Sequence, residues 1–424
     1  MTNAFTKFLV LIGCLVFSPS VYAWGRHDLI TQISLNSPEF TLLKTVPVKP
    51  ESIESAAPDL LKRVIPDLEK WCERYHREYD QRYSWKIPIS KPNLNDREAL
   101  LWALENNMST PLDIGHEKTA ADILIHYVDE PDGPLDSGLN QAPYVGRLAE
   151  SMSFFRASDS NTHAFRHYYV PTSLLPPIVS PKGIAPYRAA LYARLSEGAF
   201  NTGHPYWGYR FLAWSMHYVQ DVTQPWHTIF LPNVSFLQFS KEKMKHQVSA
   251  LHYLTEAFAD AWMERMKRGQ MTVTTEASPS DQSNSSPWFV ANLSEELARS
   301  AHRSASLVAN LARAFFSPIV SKLNTDLKPD TPMIPMGGIQ FTSSMLDFSG
   351  NGSGATAFLS PMWHEDFSLK SPRDCLLKEL VVQINNAISG SRRLISYVLG
   401  NAHSETLGKP HLSVIEGESV SFPS

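Results

Sequence analysis

Residues 217–227 read His-Tyr-Val-Gln-Asp-Val-Thr-Gln-Pro-Trp-His. They close a longer run, 207–222 (WGYRFLAWSMHYVQDV), that is apolar on most faces and does not alternate with a period of two. Such a run predicts a helix buried inside a core, and Pro225 ends it. On that helix His217 and Asp221 stand four residues apart, so both project from one face. A carboxylate on an otherwise apolar helix needs a partner, and a metal ion is the strongest one available. Beyond Pro225 the chain can bend and return His227 toward the same point.

The next informative stretch is His252-Tyr-Leu-Thr-Glu256, a second imidazole–carboxylate pair at i, i+4. It lies in 243–267, where Val248, Leu251, Leu254, Phe258 and Trp262 fit an amphipathic helix. Two such pairs plus a further His make a set of N and O ligands suited to zinc. Helices are also predicted over 288–316 (Phe289, Leu293, Leu297, Leu307, Leu311, Phe315) and 374–400 (Leu377, Leu380, Val381, Ile384, Ile388, Leu394). Runs of period two are few, so the fold class is mainly α. The polar segment 272–287 reads as an exposed loop. Residues 326–372, rich in Pro, Gly and Ser, read as irregular with short strands, and 402–424 as a polar tail. There is no internal repeat.

Composition sets the outer bounds. The chain has 424 residues, 43% of them hydrophobic, which excludes global disorder and allows one large domain or two to three ordinary ones. A formal net charge of -4 argues against nucleic-acid binding by bulk positive charge. It leaves open an enzyme that meets phosphates through bound cations. Fifteen His against three Cys point to imidazole and carboxylate sites rather than thiolate ones.

The N-terminus names a compartment. Lys7, the apolar run Phe8–Phe17, the break at Ser18-Pro19-Ser20 and the small-x-small end Val21-Tyr22-Ala23 fit a signal peptide over 1–23. Removal leaves a mature chain beginning at Trp24, secreted or periplasmic. Leu11-Ile12-Gly13-Cys14 offers a rival reading as a lipidation site on Cys14. Cys72 and Cys375 then remain, as one disulfide or two separate thiols.

HYVQDVTQPWH followed by HYLTE resembles the bacterial zinc-dependent phospholipases C, whose fold is shared with secreted fungal and plant single-strand zinc nucleases. The resemblance implies a multi-helix zinc domain over 24–320, with a less regular C-terminal extension over 321–424 carrying the helix near 374–400. It implies three zinc ions, and a mature N-terminal Trp that is itself a ligand, which Trp24 matches. Two further stretches resemble family motifs: Ile125-His126-Tyr-Val-Asp-Glu-Pro-Asp132 and Ala57-Pro58-Asp59. One ion is then held by Asp59, His126, His217 and a bridging Asp221. A second takes His227, His252 and Glu256. The third takes the amine and carbonyl of Trp24, with His27 and Asp221. Asp113, thirteen residues before His126, is the alternative to Asp59. His116, His163, His167, His204 and His246 match no ligand position.

The activity implied is hydrolysis of the glycerol-side phosphodiester of a phospholipid, phosphatidylcholine above all. The products are diacylglycerol and a phosphorylated head group, and Asp59 would orient or deprotonate water. The partner is a phospholipid membrane surface, with no nucleic acid, and the chain acts as a monomer. The apolar positions after 330 (Met333, Met336, Phe341, Met345, Phe348, Phe358, Met362, Trp363) either insert at that surface or form a packed layer. The alternatives are a single-strand nuclease and a non-catalytic lipid-binding protein with structural zinc.

Overall fold

The structure, a computed structural model, describes residues 24–79, 116–132, 169, 185–229, 242–267, 286–323, 333–336, 339–342 and 371–402. Residues 1–23, which the sequence reading takes as a signal peptide, with Cys14 among them, and Asp113, His163, His167, most of 326–372 and the tail lie outside these residues. So do the side chains of Cys72 and His246, and with Cys72 the question of its pairing with Cys375.

The described residues are mainly helical. In chain order they form α1 (His27–Ser34), α2 (Ile53–Asp59), α3 (Ile65–Arg74), α4 (Ala120–Tyr127), α5 (Ala185–Asn201), α6 (Pro205–Asp221), α7 (Glu242–Lys267), α8 (Phe289–Leu323) and α9 (Pro372–Asn401). Wide π turns over Leu60–Val64 and Tyr75–Tyr79 follow α2 and α3. Strand is scarce. β1 (Pro47–Val48) pairs antiparallel with β2 (Lys118–Thr119), and β3 (Met333–Met336) with β4 (Ile339–Thr342).

The long helices fall where the 3.6-residue period places them. Helix α6 is the centre, with every residue from Tyr206 to Asp221 buried. It runs antiparallel to α5 through a short connection in which Gly203 takes φ 86°, a left-handed conformation that lets α5 stop. At Gly208 the two helices meet so closely that a Cβ would lie 2.6 Å from the Phe200 ring. Helix α9 crosses equally tightly: a Cβ on Gly390 would fall 2.6 Å from Leu297 and 3.0 Å from Val219. The helix near 374–400 therefore packs into the same body as α6 and α8.

Two apolar clusters result. One gathers α4, α5, α6 and the start of α8; the other joins Trp24, Leu29, Ile30 and Trp226 to α7, α8 and the first half of α9. No helix among the described residues is long and apolar enough to cross a membrane.

The Gly208–Phe200 contact is the tightest constraint on the α5–α6 pair. Gly208→Ala is expected to cost about 1–3 kcal/mol through overpacking of a buried ring. Gly203→Ala, which has open space and only backbone strain to meet, should cost roughly 1–2 kcal/mol. Denaturant unfolding at fixed metal concentration measures both; a larger loss at Gly203 would contradict this ordering.

Candidate metal centre

Near the C-terminal end of α6, His217 and Asp221 are wholly buried and four residues apart, as the helix period requires. The Nδ1–H of His217 donates to the Val128 carbonyl at 2.9 Å, which turns Nε2 inward. His27, on the first turn of α1, is held the same way. Its Nδ1–H donates to Gln220 Oε1 at 2.8 Å. Gln220 is in turn fixed by donating to Thr31 Oγ1 and Ser391 Oγ, both at 3.1 Å. Each imidazole thus keeps a lone pair on Nε2.

Those lone pairs face carboxylates. His27 Nε2 lies 3.5 Å from Asp221 Oδ1 and 3.9 Å from Asp132 Oδ2. His217 Nε2 lies 3.3 Å from Asp221 Oδ2 and 3.5 Å from Asp132 Oδ1. Each carboxylate therefore divides its two oxygens between the same two imidazoles. Protonation does not resolve this, because burial, then the neighbouring His217, pushes His27 well below the ordinary His range. Acceptors facing acceptors in a dry pocket are what a cation between them would satisfy.

A second group adjoins the first. His227, at the end of the short 3-10 turn Pro225–His227, converges with His252 and Glu256 of α7, their ligand atoms within 4.8 Å of one another. His252 Nε2 and Glu256 Oε1 stand 2.7 Å apart, yet Glu256 Oε1 receives no hydrogen bond. Trp226 stacks on the His252 ring at 5.6 Å. Burial, then His227, pushes His252 well below its ordinary range. Burial, then Asp260, Asp132 and Asp221, pushes Glu256 well above the carboxylate range. The two groups thus share one field of negative charge. His27, Asp132 and His217 make one three-ligand set, and His227, His252 and Glu256 another. Either could hold a metal ion, with Asp221 facing the first set.

The structure does not gather every residue the sequence points to. Asp59 is half exposed and lies 3.4 Å from Nε2 of His204, whose Nδ1 pairs with Glu51 at 2.9 Å. His204 caps the opposite end of α6, thirteen residues before His217, which is about 20 Å along a helix axis. His126 is exposed, because the buried stripe of α4 runs through Ala120, Ala121, Ile123, Leu124 and Tyr127. Neither Asp59 nor His126 therefore sits with His217, and Asp132 occupies that place. His27 joins Asp132 and His217 rather than a separate ion. Trp24 is buried, its indole N–H donating to the Gln220 carbonyl at 3.0 Å and to Thr223 Oγ1 at 2.9 Å.

Sequence reasoning missed three contributors. Asp132 lies in the stretch already quoted with His126, six residues on. Its position depends on Glu130, whose carboxylate forms a buried pair with Arg210 and accepts the Trp214 indole N–H at 2.7 Å. Gln220 carries no signal beyond its place beside Asp221. Asp260 continues the four-residue spacing of His252 and Glu256 on α7, and that spacing could have found it.

No family model, curated protein or solved structure matches this chain.

Asp132→Asn should lower bound metal, whereas Asp59→Asn and His126→Gln should leave it unchanged. Elemental analysis of purified protein separates them; loss of metal in the Asp59 variant alone would restore the sequence-based ligand set. Gln220→Leu, which releases the His27 ring, is expected to weaken metal binding about 10–100-fold.

Proposed function

We propose that this chain is an exported, zinc-dependent phosphodiester hydrolase of the phospholipase C type. The observation that carries this reading is the buried run of His27, Asp132, His217, Asp221, His227, His252 and Glu256, two three-ligand sets joined by a shared carboxylate field. Neutral imidazoles with carboxylates are the ligand chemistry of zinc. Zinc bound there supplies positive charge for a phosphodiester and acidifies water at neutral pH.

The chain's own residues do the rest. His27 and His217 present Nε2 because Gln220 and Val128 hold their other nitrogens. Asp221, wholly buried, spans the two rings. Asp132 keeps a side-chain exposure of 8%, against 0% for His27, His217 and Asp221. It is thus better placed to meet water and to take a proton from it, the role the sequence reading gave to Asp59.

Choice of substrate rests on the sequence. The resemblance to phospholipases C at HYVQDVTQPWH and HYLTE, and a formal charge of -4, favour a lipid head group over a polynucleotide. The ions, up to the three the resemblance implies, then supply the positive charge that the protein surface lacks.

Purified mature protein, with and without a chelator, is tested on phosphatidylcholine vesicles and on single-stranded DNA. Release of phosphocholine that a chelator abolishes and zinc restores is the expected result. Nucleotide release without lipid hydrolysis turns the reading to a nuclease. Silence on both substrates by protein loaded with metal overturns the hydrolase reading.

A further inference from the structure

The helix that carries His27 is short. Helix α1 has eight residues, and a helix of that length is marginal by itself, so its place is set by what touches it. Helix α9 does so at the far end from His27. Arg392 donates from Nε to the Ser34 carbonyl at 3.1 Å and from Nη2 to the Ile33 carbonyl at 3.4 Å. Both carbonyls belong to the last turn of α1, where a helix runs out of donors of its own and where a cation suits its dipole. The residue before Arg392 reaches deeper. Ser391 is wholly buried, and its Oγ accepts from Gln220 Nε2 at 3.1 Å. Gly390 allows this approach, since a Cβ there would fall 3.0 Å from Val219, the neighbour of Gln220.

Gln220 is the residue through which α1 and α9 both address His27. The two ends of its amide are alike in shape and opposite in chemistry: one accepts, the other donates. Oε1 faces His27 Nδ1 at 2.8 Å. Nε2 faces two hydroxyls at 3.1 Å, Thr31 Oγ1 from α1 and Ser391 Oγ from α9. His27, Thr31, Gln220 and Ser391 are all fully buried, so a lost partner is not made good by bulk water. With the amide turned over, its NH2 would face Nδ1. His27 would then carry its proton on Nε2, and its lone pair would no longer face Asp221 and Asp132. Two acceptors on the Nε2 side hold the amide the right way round. A hydroxyl inside a helix can place its own proton on the carbonyl one turn back, and it then only accepts. Thr31 is one turn from His27 on the same helix and moves with it. Ser391 comes from another part of the chain and supplies a fixed reference.

We propose that Ser391 is a positioning residue for the metal centre: by accepting from Gln220 it fixes the amide, and through the amide the tautomer of His27, while Arg392 secures the far end of α1. The C-terminal helix is then part of the framework of the centre. The consequence for zinc rests on the reading of His27 as a metal ligand; the consequence for the tautomer does not.

The test uses the full chain, stripped of zinc, with its histidines labelled with nitrogen-15. The ring nitrogen shifts of His27 are expected to place its proton on Nδ1. Ser391→Ala should move proton density to Nε2, and Thr31→Val, which removes the other acceptor without changing shape, should do the same. Ser391→Thr keeps the hydroxyl and should restore the original pattern. Alanine is a good helix former, so Ser391→Ala should fold, and Thr31→Val probes the same amide from the other helix. Zinc affinity is then measured by competition with a chelator. Ser391→Ala should weaken it about 10-fold, and Ser391→Thr should recover it. Gln383→Ala is the control. Gln383 donates to Ser304 at 3.2 Å and lies eight residues before Ser391, about 12 Å along the axis. It should leave tautomer and affinity unchanged even where it lowers the melting temperature.

A His27 proton found on Nε2 in the unaltered chain would overturn the proposal. So would a tautomer indifferent to both Ser391→Ala and Thr31→Val. Equal effects from Gln383→Ala would reduce the finding to a general loosening of α9 and overturn it too. A tautomer that shifts while zinc affinity holds would uphold the link from Ser391 to His27 and overturn the reading of His27 as a ligand, so the two failures are told apart.

Discussion

A helix buried on every side leaves its polar groups no recourse to water. From Tyr206 to Asp221 nothing on α6 reaches solvent, yet Arg210, Ser215, His217, Gln220 and Asp221 lie along it. A buried polar group without a partner costs several kcal/mol, and a buried charge more. Each of these side chains therefore dictates something about a neighbour. Arg210 requires Glu130. Ser215 donates to the Ala189 carbonyl at 2.7 Å and so ties α6 to α5. Gln220 engages Thr31, Ser391 and His27, which draws α1 and α9 onto one point. Asp221 meets the ring nitrogens of His27 and His217, whose protons are committed elsewhere.

The positions of the other ligands follow from these ties. The turn that carries Asp132 is fixed at two places on α6, by the Glu130–Arg210 pair and by the Val128 carbonyl that accepts from His217. Positioning of Asp132 is thus inseparable from the core of α6. On the far side, His302 of α8 reaches the Thr228 carbonyl at 2.8 Å and steadies the turn that presents His227. The ligands are spread over α1, the 128–132 turn, α6, the 225–227 turn and α7, and each is anchored by a hydrogen bond or helix register of its own. Such preorganisation would limit the rearrangement needed for these candidate ligands to take up an ion.

How much of this could be read in advance divides along physical lines. The helices were legible, because apolar residues recurring every 3.6 positions leave a local trace. The pairs His217–Asp221 and His252–Glu256 were legible for the same reason, since i, i+4 spacing alone places them on one face. Asp132 was not, because it sits in a turn and reaches the site through a pair, Glu130–Arg210, that spans eighty residues. Asp59 and His126 misled for the complementary reason. A short motif states which residue types are present but not which end of α6, or which face of α4, they meet. Pro58-Asp59 packs at the His204 end, and His126 falls off the buried stripe.

The placement of the centre between the two apolar clusters explains its chemistry and its cost together. Val219 and Val222 belong to one cluster, while Trp24, Leu29, Ile30, Trp226 and Leu254 belong to the other. Apolar surface on both sides excludes water and lowers the local dielectric, so charges within act on one another strongly. Burial first, and the neighbouring charges second, push Glu256 up and His27 and His252 down. A shell built only for stability would be expected to fill this seam with side chains that carry no charge. Asp132, Asp221, Glu256 and Asp260 are costly there unless cations offset them, and the same dry seam gives any cation a strong hold on a phosphate. The mild acidity of the whole chain thus includes carboxylates that face inward, among them the candidate ligands Asp132 and Glu256, rather than surface charge alone.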